Sequence, residues 1–109
     1  MFNDGKLDIY HKESRITVSG QPFEVLRFYT TAFYGEISFT VDEYYAAKQA
    51  ESEAVKRVRI HQDKSIGTKH VIIIDDIQYD VGRTFSTTVK GIAVTDITLE
   101  GVVKQYEFT

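Results

Sequence analysis

Much of the chain alternates between apolar and polar residues with a period of two, the pattern of strands that bury one face. A first segment of this kind runs from Lys6 to Ile16 and is followed by turn-forming residues at 19–22. Residues 23–40 are rich in aromatic and β-branched side chains and predict one or two further strands. The apolar set changes phase near Gly35, so we expect a bulge or a tight bend there.

A different period, close to that of a helix, appears only between Thr40 and Ser52. Thr40 can cap the first turn, and Glu43 three residues later completes a capping box. The apolar and aromatic positions recur at helical spacing and include Tyr44 and Tyr45. We therefore predict one short α-helix at about residues 41–51, which is too short to be stable unless it packs on the sheet.

The second half of the chain returns to strand patterns separated by short turns. The predicted strands are Val55–His61, Lys69–Ile74, Ile77–Phe85, Ile92–Leu99 and Val102–Phe108. Asp75 and Asp76 form the predicted turn of a hairpin that lacks the favoured Gly, residues 63–68 and 87–91 are predicted loops, and Gly101 is a predicted bulge.

The resulting fold class is mainly β, with about six to seven strands and the one inserted helix. So many short strands cannot bury their apolar faces in a flat sheet, so they must curl into a barrel or fold into a sandwich. The chain has 109 residues, which suits one domain. We predict a small β-barrel that spans residues 1–109 as a single domain.

Composition narrows the classes of function. There is no cysteine, which excludes a disulfide scaffold, a thiolate zinc finger and thiol chemistry. The net charge of −3 argues mildly against a free-standing nucleic-acid binder, which usually carries a basic excess. The longest aliphatic run, Val71–Ile74, has the length of a strand, so no association with a membrane is predicted.

The residues that carry chemistry in other proteins are scattered in this chain. Of the three histidines at 11, 61 and 70, only His61 comes near a metal-binding pattern, through Asp63 two residues later. Asp75 and Asp76 are adjacent in a turn, where their carboxylates point apart and stay solvated. We therefore predict no enzyme, no bound metal and no cofactor.

Basic residues cluster between positions 56 and 70, where they would form a positive stripe on strands. The stripe is either a solvated outer face or a contact with phosphates or with acidic groups of a neighbouring subunit. Of the two tyrosines in the predicted helix, one is expected to anchor it and the other to reach a partner. The candidate interface residues are Tyr44, Tyr45, Lys48, Gln49, Arg57, Arg59 and His61.

Four segments between residues 36 and 100 resemble a known family. They are the helical segment 40–49, with its polar cap, acidic residues and paired tyrosines, the strand 58–61, the hairpin 70–82 and the late strand 95–100. In these segments the chain resembles the head-closure proteins of long-tailed bacteriophages, also described as stoppers or head-tail joining proteins. The turn at Asp75 and Asp76 departs from the Gly-containing turn often seen in that family.

The resemblance implies a small β-barrel with a helical insertion and a structural role in the virion, assembled in the cytoplasm of the host bacterium. It implies a homo-oligomeric ring between the portal and adaptor proteins and the tail proteins, lining or gating the channel through which DNA passes. Stopper members plug that channel with a segment near the helix, and residues 51–56 correspond to it in position.

Two other functions fit the same residues. An oligonucleotide-binding type of barrel would expose aromatic side chains on a basic strand face and bind single-stranded nucleic acid. A phage tail-terminator protein would have a closely related structural role, and the sequence alone does not separate it from a head-closure protein. A hydrolase would need titratable groups that converge in a pocket, and the sequence places none at a recognisable spacing.

Overall fold

The computed structural model describes residues 1–38 and 54–109. The predicted helix at 41–51 lies outside the described residues. The mainly β prediction is confirmed, because every described element is a strand. The seven strands are β1 (Gly5–Ile16), β2 (Pro22–Ile37), β3 (Ala54–His61), β4 (His70–Ile74), β5 (Ile77–Val89), β6 (Ile92–Gly101) and β7 (Glu107–Phe108).

All seven strands belong to one sheet whose hydrogen bonding closes in a ring. The order is β1-β4-β5-β6-β3-β2-β7, and an additional pairing of β1 with β2 completes the ring. Neighbouring strands in the ring are antiparallel, while the two-residue strand β7 pairs in parallel with β2. The fold is therefore barrel-like, as the pattern of short strands predicts, with β7 as an addition outside the ring.

The core lies inside the ring and is formed by apolar side chains from alternate residues of the strands. Leu7 and Ile9 of β1, Ile72 and Ile74 of β4, and Leu99 of β6 are among its fully or nearly fully buried members. The alternation of these positions along each strand produces the period-two pattern of the sequence.

Strand β4 is buried on both faces, which explains why its sequence is continuously aliphatic. Ile72 and Ile74 point into the main core, while Val71 and Ile73 form a second, smaller cluster with Leu26 on the outer face. Two tyrosines, Tyr10 and Tyr106, pack against this outer cluster.

The C-terminal segment supplies Tyr106 and folds back over that cluster. The side-chain amide of the buried Gln78 accepts from the Tyr106 N–H at 2.7 Å and donates to the Tyr106 carbonyl at 3.0 Å, as a neighbouring strand would. The Tyr106 hydroxyl donates to Asp80. The prediction of a strand over Val102–Phe108 is wrong except for the two residues of β7, because side-chain bonds replace a backbone ladder here.

Both hairpin turns of the second half have two central residues. Asp75 and Asp76 have φ of 51° and 64°, and Lys90 and Gly91 have φ of 51° and 81°. Positive φ at both central residues is the requirement of type I′ turns. The predicted Asp75–Asp76 turn is confirmed, but the predicted loop at 87–91 is wrong, because strand β5 continues to Val89 and only the two central residues turn.

The bulges lie at other positions than the sequence predicts. Register shifts occur at Tyr29 in β2, opposite Ile9 and Tyr10, and at Gly82 in β5. Residues 22–37 form one continuous strand, so the predicted bulge at Gly35 is wrong. At Gly35 the strand instead changes partner from β1 to β3, and a Cβ there would overlap the Met1 carbonyl oxygen. The predicted bulge at Gly101 is also wrong, since that residue pairs in register with Tyr79.

The β1–β2 hairpin extends well past the strands beside it. β1 pairs with β2 from Gly5 to Ile16, whereas β4 pairs only with residues 8–11 of β1. The distal part, residues 13–24, is called the arm below. Its tip closes with a hydrogen bond from the Thr17 N–H to the Gln21 carbonyl.

Candidate functional site

Strand β3 carries three of the predicted interface residues on its outer face. Val58 and Ile60 point into the core, so Arg57, Arg59 and His61 point outward in a row along the strand. Residues 54–56, part of the segment 51–56 that the sequence resemblance compares with a plug, belong to this strand. Tyr44, Tyr45, Lys48 and Gln49 lie outside the described residues.

The strand register places side chains from β6 and β5 beside those of β3. Arg57 lies opposite Thr98, which lies opposite Arg83, and Arg59 lies opposite Asp96, which lies opposite Phe85. Directly opposed residues in antiparallel strands share a face. This surface is called the arginine face, and it consists of Arg57, Arg59, Arg83, Phe85, Asp96 and Thr98.

Asp96 lies at the centre of the arginine face and holds two of its arginines. Arg59 donates to the carboxylate through Nε at 2.7 Å and through Nη2 at 3.0 Å, which is a bidentate pair. Arg57 approaches the same carboxylate with Nη2 at 3.7 Å, and its Nη1 donates to the Ser38 carbonyl at 3.4 Å. Asp96 is only 4% exposed, so this ion pair is largely shielded from water.

The hydrogen bonds to Asp96 raise the pKa of Arg59 above its usual value. The Asp96 carboxylate therefore faces two permanently charged guanidinium groups, those of Arg57 and Arg59. Arg83 is a third guanidinium on this face; it is exposed and forms no ion pair with any described residue.

Sequence reasoning missed four members of this face: Arg83, Phe85, Asp96 and Thr98. Phe85 is 56% exposed although it lies in the middle of a strand. Asp96 stands in the buried run of β6, and a carboxylate among such neighbours is the signal that could have indicated a paired arginine.

A shallow depression of about 440 Å³ lies over the arginine face. Of the described residues that line it, Asp96 is the only carboxylate, and its oxygens are engaged by arginine. Arginine guanidinium groups recognise carboxylates and phosphates through several N–H donors. The arrangement is therefore suited to binding an anion.

His61 lies at the edge of this surface, exposed, with the Phe2 ring 4.1 Å from its own. It does not pair with Asp63, whose carboxylate accepts bonds from Ser65 and from the Tyr29 hydroxyl at 3.1 Å. In the described part of the chain no three His, Cys, Asp or Glu side chains come together to hold a metal ion.

The other two histidines, His11 and His70, lie directly opposite each other where β1 pairs with β4. The rings of His11 and His70 lie 4.6 Å apart, and the Tyr29 ring is 4.7 Å from that of His11. The Nδ1 atom of the buried His70 accepts from the Gly67 N–H, which assigns the ring proton to Nε2. Burial lowers the pKa of His70, and the neighbouring His11 lowers it further. Because a metal would have to displace that Nε2 proton, the pair is arranged for packing.

The arm presents a second unusual surface. Ile16 and Val18 near its tip are exposed, with 74% of Ile16 accessible, and Phe23 is partly exposed. A salt bridge from Arg15 to Glu13 lies beside them. Apolar side chains at the end of a projecting hairpin gain nothing in an isolated monomer and are typical of a contact with a partner.

No protein-family model and no curated protein matches the chain. Among solved structures, the chain is similar to the solution structure of protein SF1141 from Shigella flexneri 2a, a structural genomics target. The TM-score is 0.58 at 15% sequence identity, and the match covers 92% of this chain and 94% of that one. At this low sequence identity the similarity shows a shared fold but does not indicate a shared function. No helix in the described residues is long and apolar enough to cross a membrane.

Proposed function

We propose that this chain is a structural subunit of the head-tail connector of a long-tailed bacteriophage, acting as a head-closure or stopper protein. The sequence likeness between residues 36 and 100 supports the proposal. The observation that carries it structurally is the arm, which projects past the ring-closed sheet and exposes apolar residues.

An assembly subunit binds through its surfaces, and this chain offers two of different character. The arm has Ile16 and Val18 exposed at its tip, and the arginine face has three arginines grouped around a buried carboxylate. Two unlike surfaces on one chain suit a head-to-tail contact, in which a patch on one copy meets a different patch on the next. Such contacts close into rings when the rotation between copies allows it.

Cosedimentation with heads lacking this subunit tests the proposal. Such heads are purified from a phage whose copy of this gene is deleted, mixed with the purified protein and separated from free protein on a gradient. We expect the protein to be a monomer alone and to sediment with the heads. The double variant Ile16→Asp, Val18→Asp is expected to stay folded and to lose retention, whereas Glu24→Ala, an exposed change on the same arm, is expected to bind normally.

Retention of no wild-type protein on the heads would contradict the proposal. Retention on isolated tails but not on heads would assign the chain to the tail-terminator role instead. The genes beside this one give a second check, because the proposal predicts neighbours that encode a portal, a capsid protein and a tail tube.

A further inference from the structure

Strand β4 is much shorter than the two strands between which it lies. It pairs only with residues 8–11 of β1 and with residues 77–80 of β5. Both pairings are antiparallel, so the remainders of the flanking strands, residues 13–16 of β1 and 81–89 of β5, extend past the same end of β4. Two strands that flank a third lie about 9.5 Å apart. The sheet therefore has a gap one strand wide between these two remainders, which is called the slot below.

The chain that leads into β4 does not fill the slot. The Lys12 N–H donates to the Lys69 carbonyl, which adds one more rung to the ladder between β1 and β4. Before Lys69 the chain turns away, with a hydrogen bond from the His70 N–H to the Gly67 carbonyl, and Ile66 is buried in the main core. In the described part of the chain, no backbone group beyond Lys69 pairs with either edge of the slot.

The β1 edge of the slot presents the backbone groups of Ser14 and Ile16. Successive residues of an antiparallel strand bond alternately to one side and to the other. The Thr17 N–H donates across the hairpin, toward β2, whereas the Lys12 N–H donates toward β4, so the even-numbered residues face the slot. On the far side of the arm, Pro22 has no N–H and blunts the outer edge of β2. The arm therefore leaves its β1 edge open for pairing.

The β5 edge of the slot presents the backbone groups of Thr84, Ser86 and Thr88. The two-residue turn at 90–91 closes on a directly opposed, hydrogen-bonded pair, and counting back from it leaves the even-numbered residues of β5 facing away from β6. Residues 83–89 contain neither proline nor lysine, which usually protect an exposed edge. A strand placed in the slot would therefore find backbone donors and acceptors on both sides, as a central strand does.

The side chains around the slot indicate what such a strand would carry. Arg83 is exposed and forms no ion pair with any described residue, and Lys69 at the closed end of the slot is exposed as well. These two cations favour an acidic side chain on the bound strand. Phe85 and Ile16 are 56% and 74% exposed, and they lie on the outer face on either side of the slot, where they favour an aliphatic neighbour.

We propose that the slot binds one extended segment of a partner protein, which inserts between β1 and β5 as an added strand antiparallel to both. An open edge on each side accepts a single strand and has no room for a hairpin such as the arm of a second copy. Main-chain hydrogen bonds would supply the affinity, and the acidic and aliphatic side chains would supply the specificity. Such binding goes beyond the connector role, because a single copy carries the whole slot and no head particle is required.

Amide hydrogen exchange of the full chain, followed by NMR, tests the proposal with an acetylated hexapeptide as the probe. The probe is Thr-Thr-Val-Thr-Glu-Thr, in which valine and glutamate share one face. At a peptide concentration of about ten times the Kd, we expect exchange to slow about tenfold at the amides that face the slot. These are the amides of Ser14, Ile16, Thr84, Ser86 and Thr88. The amides of Arg15 and Phe85 already bond within their own hairpins and should not change.

Substitutions at two positions separate backbone pairing from charge. Ser86→Pro removes a donor that faces the slot without removing a bond to β6, and it is expected to raise the Kd about tenfold. The matched control Ser86→Ala loses the same hydroxyl, keeps the N–H and is expected to bind as the wild type does. Arg83→Ala is expected to weaken binding of the probe about threefold and to leave binding of the same peptide with lysine in place of glutamate no weaker. The Arg83 comparison decides the case if Ser86→Pro does not fold, as judged by circular dichroism.

Several outcomes would overturn the proposal. Unchanged exchange at millimolar peptide would refute it directly. Equal slowing at Arg15 and Phe85 would show a general stabilisation instead of an added strand. Equal losses of affinity in Ser86→Pro and Ser86→Ala, or equal binding of the glutamate and lysine peptides, would show that the slot does not recognise the segment as described. If the chain alone forms dimers in analytical ultracentrifugation and Ser86→Pro dissociates them, the β5 edge pairs with a second copy and the partner segment is excluded.

Discussion

Replacing Asp96 by alanine tests the structural importance of the carboxylate at the centre of the arginine face. The substitution leaves Arg57 and Arg59 packed against the sheet without their shared counter-ion, while only a small side chain is lost. Removing one partner of a buried ion pair costs about 3–5 kcal/mol, because the remaining charge stays shielded from water. Because Arg59 keeps some contact with solvent, we expect a loss of unfolding free energy at the low end of this range, about 3 kcal/mol.

A loss of this size is large for a domain of 109 residues. Small domains have free energies of unfolding of about 5–15 kcal/mol, and each kcal/mol lowers the melting temperature of a domain of this size by about 4 °C. We therefore expect Asp96→Ala to melt about 12 °C below the wild type. Its urea midpoint should fall while the dependence on urea concentration stays unchanged.

Urea titrations followed by far-ultraviolet circular dichroism provide the assay. The control is Glu24→Ala, an exposed carboxylate on the arm, which should change the free energy of unfolding by less than about 0.5 kcal/mol. A second substitution, Arg59→Met, should recover part of the loss when combined with Asp96→Ala, since the two sites are coupled. A change of less than about 1 kcal/mol in Asp96→Ala would show that the two arginines do not need this carboxylate as a counter-ion.

Three further predictions concern other parts of the fold. Asp76→Gly should raise the free energy of unfolding by about 1 kcal/mol, because φ of 64° is strained for a side chain, and a lower urea midpoint would contradict this. Gly35→Ala should destabilise by about 1–3 kcal/mol, because its Cβ overlaps the Met1 carbonyl oxygen, and an unchanged melting temperature would show that the N-terminus yields freely. The lowered pKa of His70 means that, below the ordinary value of 6.5, the unfolded chain binds a proton that the folded chain resists. Stability should therefore fall as the pH drops through 6.5, and urea midpoints at pH 7.5 and 5.5 should differ less in His70→Asn than in the wild type.

The sequence predicts best those elements whose conformation is determined by residues close to them in the chain. The first strand, the aliphatic strand β4 and the Asp75–Asp76 turn follow from local pattern and turn chemistry. The ends of strands are predicted less well, as at 87–91, where Thr87 and Val89 continue a ladder that depends on pairing with β6.

The bulge in β2 shows why phase alone misplaces an irregularity. The sequence indicates a slip near Gly35, but the extra residue is Tyr29. The position of a bulge depends on the partner strand, and Tyr29 is turned toward His11 and Asp63, which are distant in sequence. Pattern within β2 contains no information on those contacts.

The arginine face could be predicted only in part, because it too depends on contacts between residues that are distant in sequence. Arg57 and Arg59 stand out in the sequence as cations alternating with apolar residues. Their relation to Asp96, Arg83 and Phe85 exists only through the registers of β3 with β6 and of β6 with β5. Those registers join residues that are far apart along the chain: Arg57 and Thr98, which lie opposite each other, are 41 positions apart. They are fixed by closure of the whole sheet.

We propose that the surfaces of this chain serve assembly into a phage connector. Electron cryomicroscopy of heads incubated with the purified protein tests it most directly. We expect a ring of copies at the portal vertex, with each arm touching a neighbouring subunit. Heads whose portal vertex is identical with and without the protein would contradict it.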